Sequence, residues 1–278
     1  MLEWDSVVWG KLTGPYGSAE KVPVLLQQLM RQYSQEVHDE LFQEHLFHQN
    51  TIYTATYAAI PFLAQIACST SNAEVRKELF ITCGTIEASR DEHDKAPFPE
   101  SWAKLAEDTD SSVCTELYRE YIEAIGKLTA LTKEVFAYAA HHSIDETDKR
   151  YILIADAAYR GSYIIANMLM TFIYGDEYVA VCPACEEDVF IWPSEDNHAA
   201  ILQAYEHDPV SHTGQEAHAI VPVTSFADEE IRTLAEQAEA IGEQTLARHL
   251  PYLAGETLCP SCRERISVWP SLLSTFTM

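Results

Sequence analysis

One short pattern occurs twice and constrains this chain more than anything else in it. Cys182-Pro-Ala-Cys185 continues through Val189, Phe190 and Ile191 to Trp192-Pro-Ser, and Cys259-Pro-Ser-Cys262 continues through Ile266, Ser267 and Val268 to Trp269-Pro-Ser. The offset between equivalent positions is 77 throughout, and Glu187 and Glu264 also fall in register. Each copy reads as a tight thiolate knuckle followed by a β-strand whose apolar side chains pack beneath it. Two facing knuckles offer four sulfurs at one tetrahedral point, the ligand set of a closed structural zinc site. The expected ligands are Cys182, Cys185, Cys259 and Cys262, with one Zn²⁺ per chain. A redox CxxC normally opens a helix after a strand, whereas both copies here run into Trp-containing, strand-like segments. Four cysteines fill the coordination shell and leave no position for a reactive water, which argues against a hydrolytic role for this metal. The 73 residues between the knuckles must fold back to bring them together.

Charge bears on partners. The 278 residues carry 43 acidic and 18 basic side chains, a formal net charge of −25. Phosphate contacts need Lys and Arg, so nucleic-acid binding is disfavoured, while attraction to a basic partner is favoured. Between Gly161 and Ile231 there are 13 acidic residues and no Lys or Arg. Only Arg263 and Arg265 beside the second knuckle speak for a nucleic-acid-binding zinc ribbon.

The N-terminal sequence Met1-Leu-Glu-Trp-Asp lacks the basic start and apolar run of a secretory signal. The most apolar stretch, Tyr151 to Tyr174, includes Asp156, Arg160 and Asn167 and reads as a buried helix rather than a membrane span. Cys68, Cys83 and Cys114 sit singly in apolar helical surroundings and read as reduced core thiols, as in the cytosol. The expected location is cytoplasmic.

Hydrophobic periodicity predicts an all-helical region over residues 1–174. A helix over Val22 to Gln32 has Val24, Leu25, Leu26 and Leu29 inward and Pro23 in its first turn. Ser34 caps the next, with Val37, Leu41 and Leu46 as its stripe. Asn50 or Thr51 caps a third, running to about Ala67 and kinked at Pro61. Asn72 caps a fourth, with Val75, Leu79 and Ile86 inward. Ser89 to Glu100 is a charged loop, followed by two long helices, Ser111 to His141 and Asp145 to Ile173. Successive helix pairs joined by short turns suggest an α-solenoid. Residues 175–278 read as a small α+β module, a β-ribbon carrying both knuckles and interrupted by an insertion over residues 194–255. That insertion begins with a histidine-rich surface loop (His198, His207, His212, His218). It continues as a helix introduced by a Ser225/Asp228 capping box and split near Gly242.

Trp9-Gly-Lys-Leu12, Pro15-Tyr16-Gly17-Ser-Ala19, Val22-Pro23-Val-Leu25-Leu26, the run His48 to Thr56 and Ala59-Ile-Pro61-Phe62-Leu63 form an N-terminal signature. Ile154 to Gly161 and Leu250-Pro-Tyr-Leu253-Ala-Gly255 precede the two CPxC motifs. In these segments the chain resembles a family of bacterial HEAT-like repeat proteins. The resemblance implies stacked antiparallel helix pairs with a concave, protein-binding surface, and it brings no catalytic set. Asn50 departs from the glycine that relatives often carry after His-Gln, although Asn also tolerates left-handed geometry.

No GxSxG, HExxH or phosphate-cradling glycine loop is present. The nearest approach to a catalytic constellation is Glu44 with His45 and His48 one turn on, and His38 a turn back. That cluster would serve a metal-dependent hydrolase. Paired acids such as Asp91-Glu92 and the run Asp228-Glu229-Glu230 fit helix-start or loop roles. The leading expectation is a non-catalytic, HEAT-like, protein-binding scaffold with a structural zinc site and a basic protein partner, in the manner of an immunity or antitoxin-like protein. The rivals are the hydrolase and the nucleic-acid binder.

Overall fold

The computed structural model describes residues 1–90, 97–194 and 202–277. It is mainly helical with a small antiparallel sheet region, and its residues fall into two compact units. The first comprises Met1–Tyr138 and Ile154–Tyr163, and the second Ala139–Leu153 and Ile164–Met278.

In the first unit a two-residue-strand hairpin, β1 (Thr13–Gly14) with β2 (Gly17–Ser18), precedes helix α1 (Val22–Arg31). Pro23 lies in the first turn of α1, where its missing N–H is not needed. The buried residues Val22, Leu25, Leu26 and Leu29 follow i, i+3, i+4, i+7 spacing, which leaves Val24 on the opposite face. Val24 is exposed, contrary to the expectation from its apolar character. Helix α2 (Gln35–Asp39) passes directly into a π-helical segment, Glu40–Leu46. The wider winding brings Leu41 and Leu46, five residues apart, to the buried face; on α2 His38 is buried while Val37 is only partly covered.

The third helix is not capped by Asn50 or Thr51. Those residues belong to a hairpin, β3 (Phe47–His48) with β4 (Thr51–Ile52), whose turn residues Gln49 and Asn50 adopt φ of 49° and 57°. Two consecutive left-handed residues match the twist of a two-residue hairpin turn, and Asn is suited to it. Helix α3 (Thr54–Ser69) then starts at Tyr53, whose N–H donates to Thr56 Oγ1 at 2.9 Å. The helix runs through Pro61, and only Gln65, Cys68 and Ser69 in its second half face solvent. Cys68 is therefore exposed rather than a core thiol, whereas Cys83 and Cys114 are buried as expected.

Helix α4 (Ala73–Ala88) is capped by Asn72, whose side chain accepts from the Glu74 and Val75 amides at 3.0 and 3.4 Å. Helices α5 (Ala103–Asp108) and α6 (Ser111–Thr129) follow. Packing of α3 against α1, α4 and α6 makes it the centre of this unit. Tyr57 sits there against Trp102 and Tyr121, with ring centroids 4.9 and 4.7 Å apart.

Both long C-terminal helices predicted for the helical region are divided. After α6 a turn at Ala130–Leu131 leads to α7 (Thr132–His141), and α8 (Glu146–Tyr159) is separated from α9 (Tyr163–Thr171). The second break is a Schellman closure. Gly161 takes φ 79°, its N–H bonds to Ala158 O, and the Ser162 N–H bonds to Ala157 O. Among the described residues, no helix is long and apolar enough to cross a membrane.

The second unit carries the sheet. Strands β5 (Tyr178–Val181), β6 (Asp188–Pro193), β7 (Leu202–Tyr205) and β8 (His218–Ala219) form one antiparallel sheet in that order. Tyr178, Ala180, Val189, Ile191, Leu202 and Ala204 alternate inward and are fully buried. The segment expected to be a histidine-rich surface loop thus supplies two strands. His198 and the Asp91-Glu92 pair lie outside the described residues.

Asp228 alone caps α10 (Glu229–Ile241), accepting from the Glu230 and Ile231 amides at 2.8 and 3.1 Å. Gly242 closes that helix in the left-handed region before α11 (Gln244–Leu253). The chain ends in the hairpin β9 (Glu256–Leu258) with β10 (Arg265–Ser267), followed by α12 (Val268–Leu273). A single bridge, Val221 to Glu256, joins the hairpin to the segment after β8.

Candidate metal centre

Each knuckle is the tip of a β-hairpin. In β5/β6 the last pair is Val181 with Asp188, and in β9/β10 the equivalent pair is Leu258 with Arg265, again 77 residues on. In the first tip the Cys182 N–H bonds to Glu187 O at 3.0 Å and the Glu186 N–H to Cys182 O at 2.9 Å. In the second, the Cys259 N–H bonds to Glu264 O at 2.8 Å and the Arg263 N–H to Cys259 O at 3.0 Å. The residue after each second cysteine is left-handed, with φ 62° at Glu186 and 66° at Arg263. Local chemistry thus gives both CPxC segments one geometry.

The two tips meet. The Cys182 and Cys262 sulfurs are 3.7 Å apart, the Cys185 and Cys259 sulfurs are 3.8 Å apart, and all four lie within 4.8 Å of one another. A tetrahedral ion with metal–sulfur bonds of about 2.3 Å needs sulfurs about 3.8 Å apart. The four cysteines can therefore hold a metal ion. Among the described residues they are the only group of three or more His, Cys, Asp or Glu so placed. Cys182 and Cys259 are sealed from solvent, Cys185 is partly covered and Cys262 is exposed.

Electrostatics in the cluster are compatible with a cation. Burial alone would raise the Cys182 thiol, but the Ala184 and Cys185 amides and the neighbouring sulfurs outweigh it and bring it down to about 7. At Cys185 the Glu187 amide acts downward, while burial and the other three thiols push it up to about 12. Burial also raises Cys259. One sulfur ionises readily at the expense of its neighbours, because adjacent thiolates repel unless a positive ion sits among them.

Beyond the knuckles the two copies diverge. The first Trp-Pro lies in β6, where Trp192 pairs with Gln203 and Pro193 with Leu202. The second, expected as a strand, opens α12. Strand β10 pairs only with β9 among the described residues, so Trp269-Pro270 has no ladder to extend. Pro270 instead falls in a first helical turn, where an N–H is dispensable, and Trp269 is buried.

Glu44 and His45 lie on the π-helical segment and line a cleft of ≈ 540 Å³ together with Gly14, Tyr16, Glu20 and Glu40. His48 is on β3, where its Nδ1 lies 3.4 Å from the Tyr16 hydroxyl. His38 is buried, with Nε2 3.0 Å from Thr82 Oγ1 and Nδ1 3.3 Å from Asp39. The structure therefore gives these histidines different neighbours. In the second unit the His207 and His212 rings lie 4.8 Å apart, tilted by 45°, in a turn clamped by the Gln215 side chain. Arg263 and Arg265 are paired with Glu216 and Glu256 at 3.5 and 3.2 Å, so neither basic group beside the second knuckle stands alone.

Two buried ionic groups have no signature in the sequence. Glu87 accepts from Arg90 at 2.9 Å, from the Tyr163 hydroxyl at 2.7 Å and from the Tyr121 hydroxyl. Arg150 bonds Glu243 at 2.7 Å and Phe172 O at 3.2 Å, and all but about 1% of both charged side chains is buried. Each joins residues far apart in the chain, which periodicity does not register. No family model matches the chain, and neither a curated protein nor a solved structure matches it.

Proposed function

We propose that the protein is a non-catalytic, protein-binding helical scaffold whose C-terminal hairpins are locked by one structural Zn²⁺ on Cys182, Cys185, Cys259 and Cys262. In this reading the helices of residues 1–174 stack as HEAT-like pairs, and the acidic surface engages a basic protein partner, as an immunity or antitoxin-like protein does. The observation that carries it is the four-sulfur cluster on a chain of net charge −25. Four thiolates fill a tetrahedral shell, so the ion supplies a cross-link and leaves two negative charges uncompensated. A surface of that sign speeds encounter with a basic partner and makes binding salt-sensitive. The test has two arms. Elemental analysis of the purified chain should return about one zinc per chain. Affinity capture at low salt should return a basic partner that 0.5 M salt, on the order of a 4 Å screening length, releases. Capture of only neutral or acidic proteins overturns the partner reading.

A second reading rests on the cleft lined by Glu20, Glu40, Glu44 and His45. It is the metal-dependent hydrolase, and it requires a second metal per chain that is lost in His45→Ala and His48→Ala while the fold survives.

A further inference from the structure

The four sulfurs are not equivalent. The second cysteine of each knuckle, Cys185 or Cys262, reaches solvent, and the first, Cys182 or Cys259, does not. Two sulfur pairs that bridge the tips lie closer than 4 Å, and each joins an accessible sulfur to a buried one, Cys262 to Cys182 and Cys185 to Cys259. An accessible thiolate with a second thiol behind it is the arrangement in which peroxide attack is resolved as a disulfide rather than continuing to sulfinic acid.

We propose that the centre is a peroxide modification site, with Cys262 attacked first and Cys182 resolving it, and with Cys185 and Cys259 as the second attacked and resolving pair. The proposal rests on the metal reading above for its consequence, though not for its pairing. In the first step the Cys262 sulfur displaces hydroxide from hydrogen peroxide, giving the sulfenic acid and, with one proton, water. In the second, the Cys182 thiolate attacks the sulfenic sulfur. The S–S bond forms, and the departing hydroxide takes a proton to leave as a second water. Two thiolates lose one electron each and the peroxide gains both. The sulfurs must close by about 1.7 Å to reach bonding distance, a small side-chain adjustment.

Pairing decides the outcome for the fold. A disulfide within one knuckle would release the hairpins from each other once the ion leaves. Disulfides across the tips keep β5/β6 joined to β9/β10 while four negative sulfurs become neutral. Oxidation by this route expels the metal and removes local negative charge without opening the module.

The lack of Lys and Arg between residues 161 and 231 makes the test direct, because trypsin leaves Cys182 and Cys185 on one peptide and Cys259 and Cys262 on another. The chain is prepared with Cys68→Ser, which removes the exposed thiol on α3. The zinc-loaded protein is treated with hydrogen peroxide, released metal is read with a chromophoric chelator, and the peptides are mapped without reduction. The expected result is stoichiometric release with the two peptides linked, and fragmentation placing the bonds at 182–262 and 185–259. Alkylation of the zinc-loaded chain, in which all four sulfurs are thiolates and access alone separates them, should label the exposed Cys262 at least about tenfold faster than the buried Cys182. Unlinked peptides with internal disulfides, sulfinic acid at Cys262 without a disulfide, or equal labelling of all four thiols overturns the proposal. If the purified chain carries no metal, the zinc reading fails, and the pairing is still read on the reduced apo chain.

Discussion

Glu186 and Arg263 occupy the same left-handed backbone position in two hairpins 77 residues apart, with φ of 62° and 66°. A non-glycine residue in this region carries roughly 1 kcal/mol of strain, and each is held there by a hydrogen bond from its N–H to the carbonyl of the first cysteine of its knuckle. Glu186→Gly should therefore preserve the knuckle and leave stability unchanged or raised by up to about 0.5 kcal/mol, net of the extra flexibility of the unfolded chain. Glu186→Val, β-branched at a positive φ, should lower stability by about 1–2 kcal/mol and weaken metal retention. Competition with a chelator alongside urea unfolding measures both, and equal behaviour of the Gly and Val variants would refute the strain argument.

Gly84 on α4 faces Ala155 on α8 so closely that a Cβ added to it would lie 2.1 Å from the Ala155 Cβ. Two helix backbones approach within this distance only where one position has no side chain. Gly84→Ala should cost about 2–3 kcal/mol through forced displacement of the helices, although alanine favours helix by about 1 kcal/mol. Ala155→Gly in the same chain removes the clashing methyl but leaves the residue-155 Cα 2.5 Å from the added Cβ, so the double variant should recover only part of the loss. A double-mutant cycle by denaturant unfolding decides, since additive effects would mean that the two positions do not meet.

What the sequence disclosed was what local chemistry determines. The knuckles, the Asn72 cap, the Gly242 split and the tolerance of Asn50 for a left-handed turn all follow from residue types over four or five positions. The misses arise where partners are distant. No glycine or proline marks the turn at Ala130–Leu131, and the π-helical winding at Glu40–Leu46 leaves no trace in composition. Ser194 to Pro222 looked polar enough for a loop because β7 and β8 contribute only Leu202, Ala204 and a few neighbours to the core. The second Trp-Pro-Ser copies the first in sequence but lacks a neighbouring strand, so an identical tripeptide becomes helical.

Arg150 and Glu243 form an ion pair sealed from solvent, with Glu243 also accepting from the Leu246 amide as the cap of α11. Removing one charge strands the other in a low-dielectric site. Arg150→Met should therefore destabilise by about 3–5 kcal/mol. Adding Glu243→Gln, which keeps an acceptor for the cap but removes the orphaned charge, should restore part of that stability. The readout is the unfolding midpoint of the single and double variants. A double variant less stable than Arg150→Met would show that the carboxylate acts only as a cap.

His249 on α11 gives the protein an acid-sensitive element that does not depend on the thiolates. Its Nδ1 lies 3.2 Å from the Tyr178 hydroxyl, and burial, with Arg150 and Arg248 nearby, lowers its pKa from the usual 6.5 to about 4. Burial also pushes Tyr178 up to about 12, so its hydroxyl stays protonated and can donate to the neutral ring. Between about pH 4 and 6.5 the unfolded chain binds a proton at this position and the folded chain does not, so stability rises with pH across that window. The full contribution is present above pH 6.5. It is lost progressively as the pH falls to about 4, amounting to about 3 kcal/mol. Loss of an ion held by the four cysteines would act in the same direction, so the difference between the wild type and His249→Gln isolates the histidine. The wild type should lose stability more steeply than the variant from pH 6.5 to 4.5, with parallel curves above pH 7. Parallel curves across the whole range would mean that His249 charges freely in the folded protein.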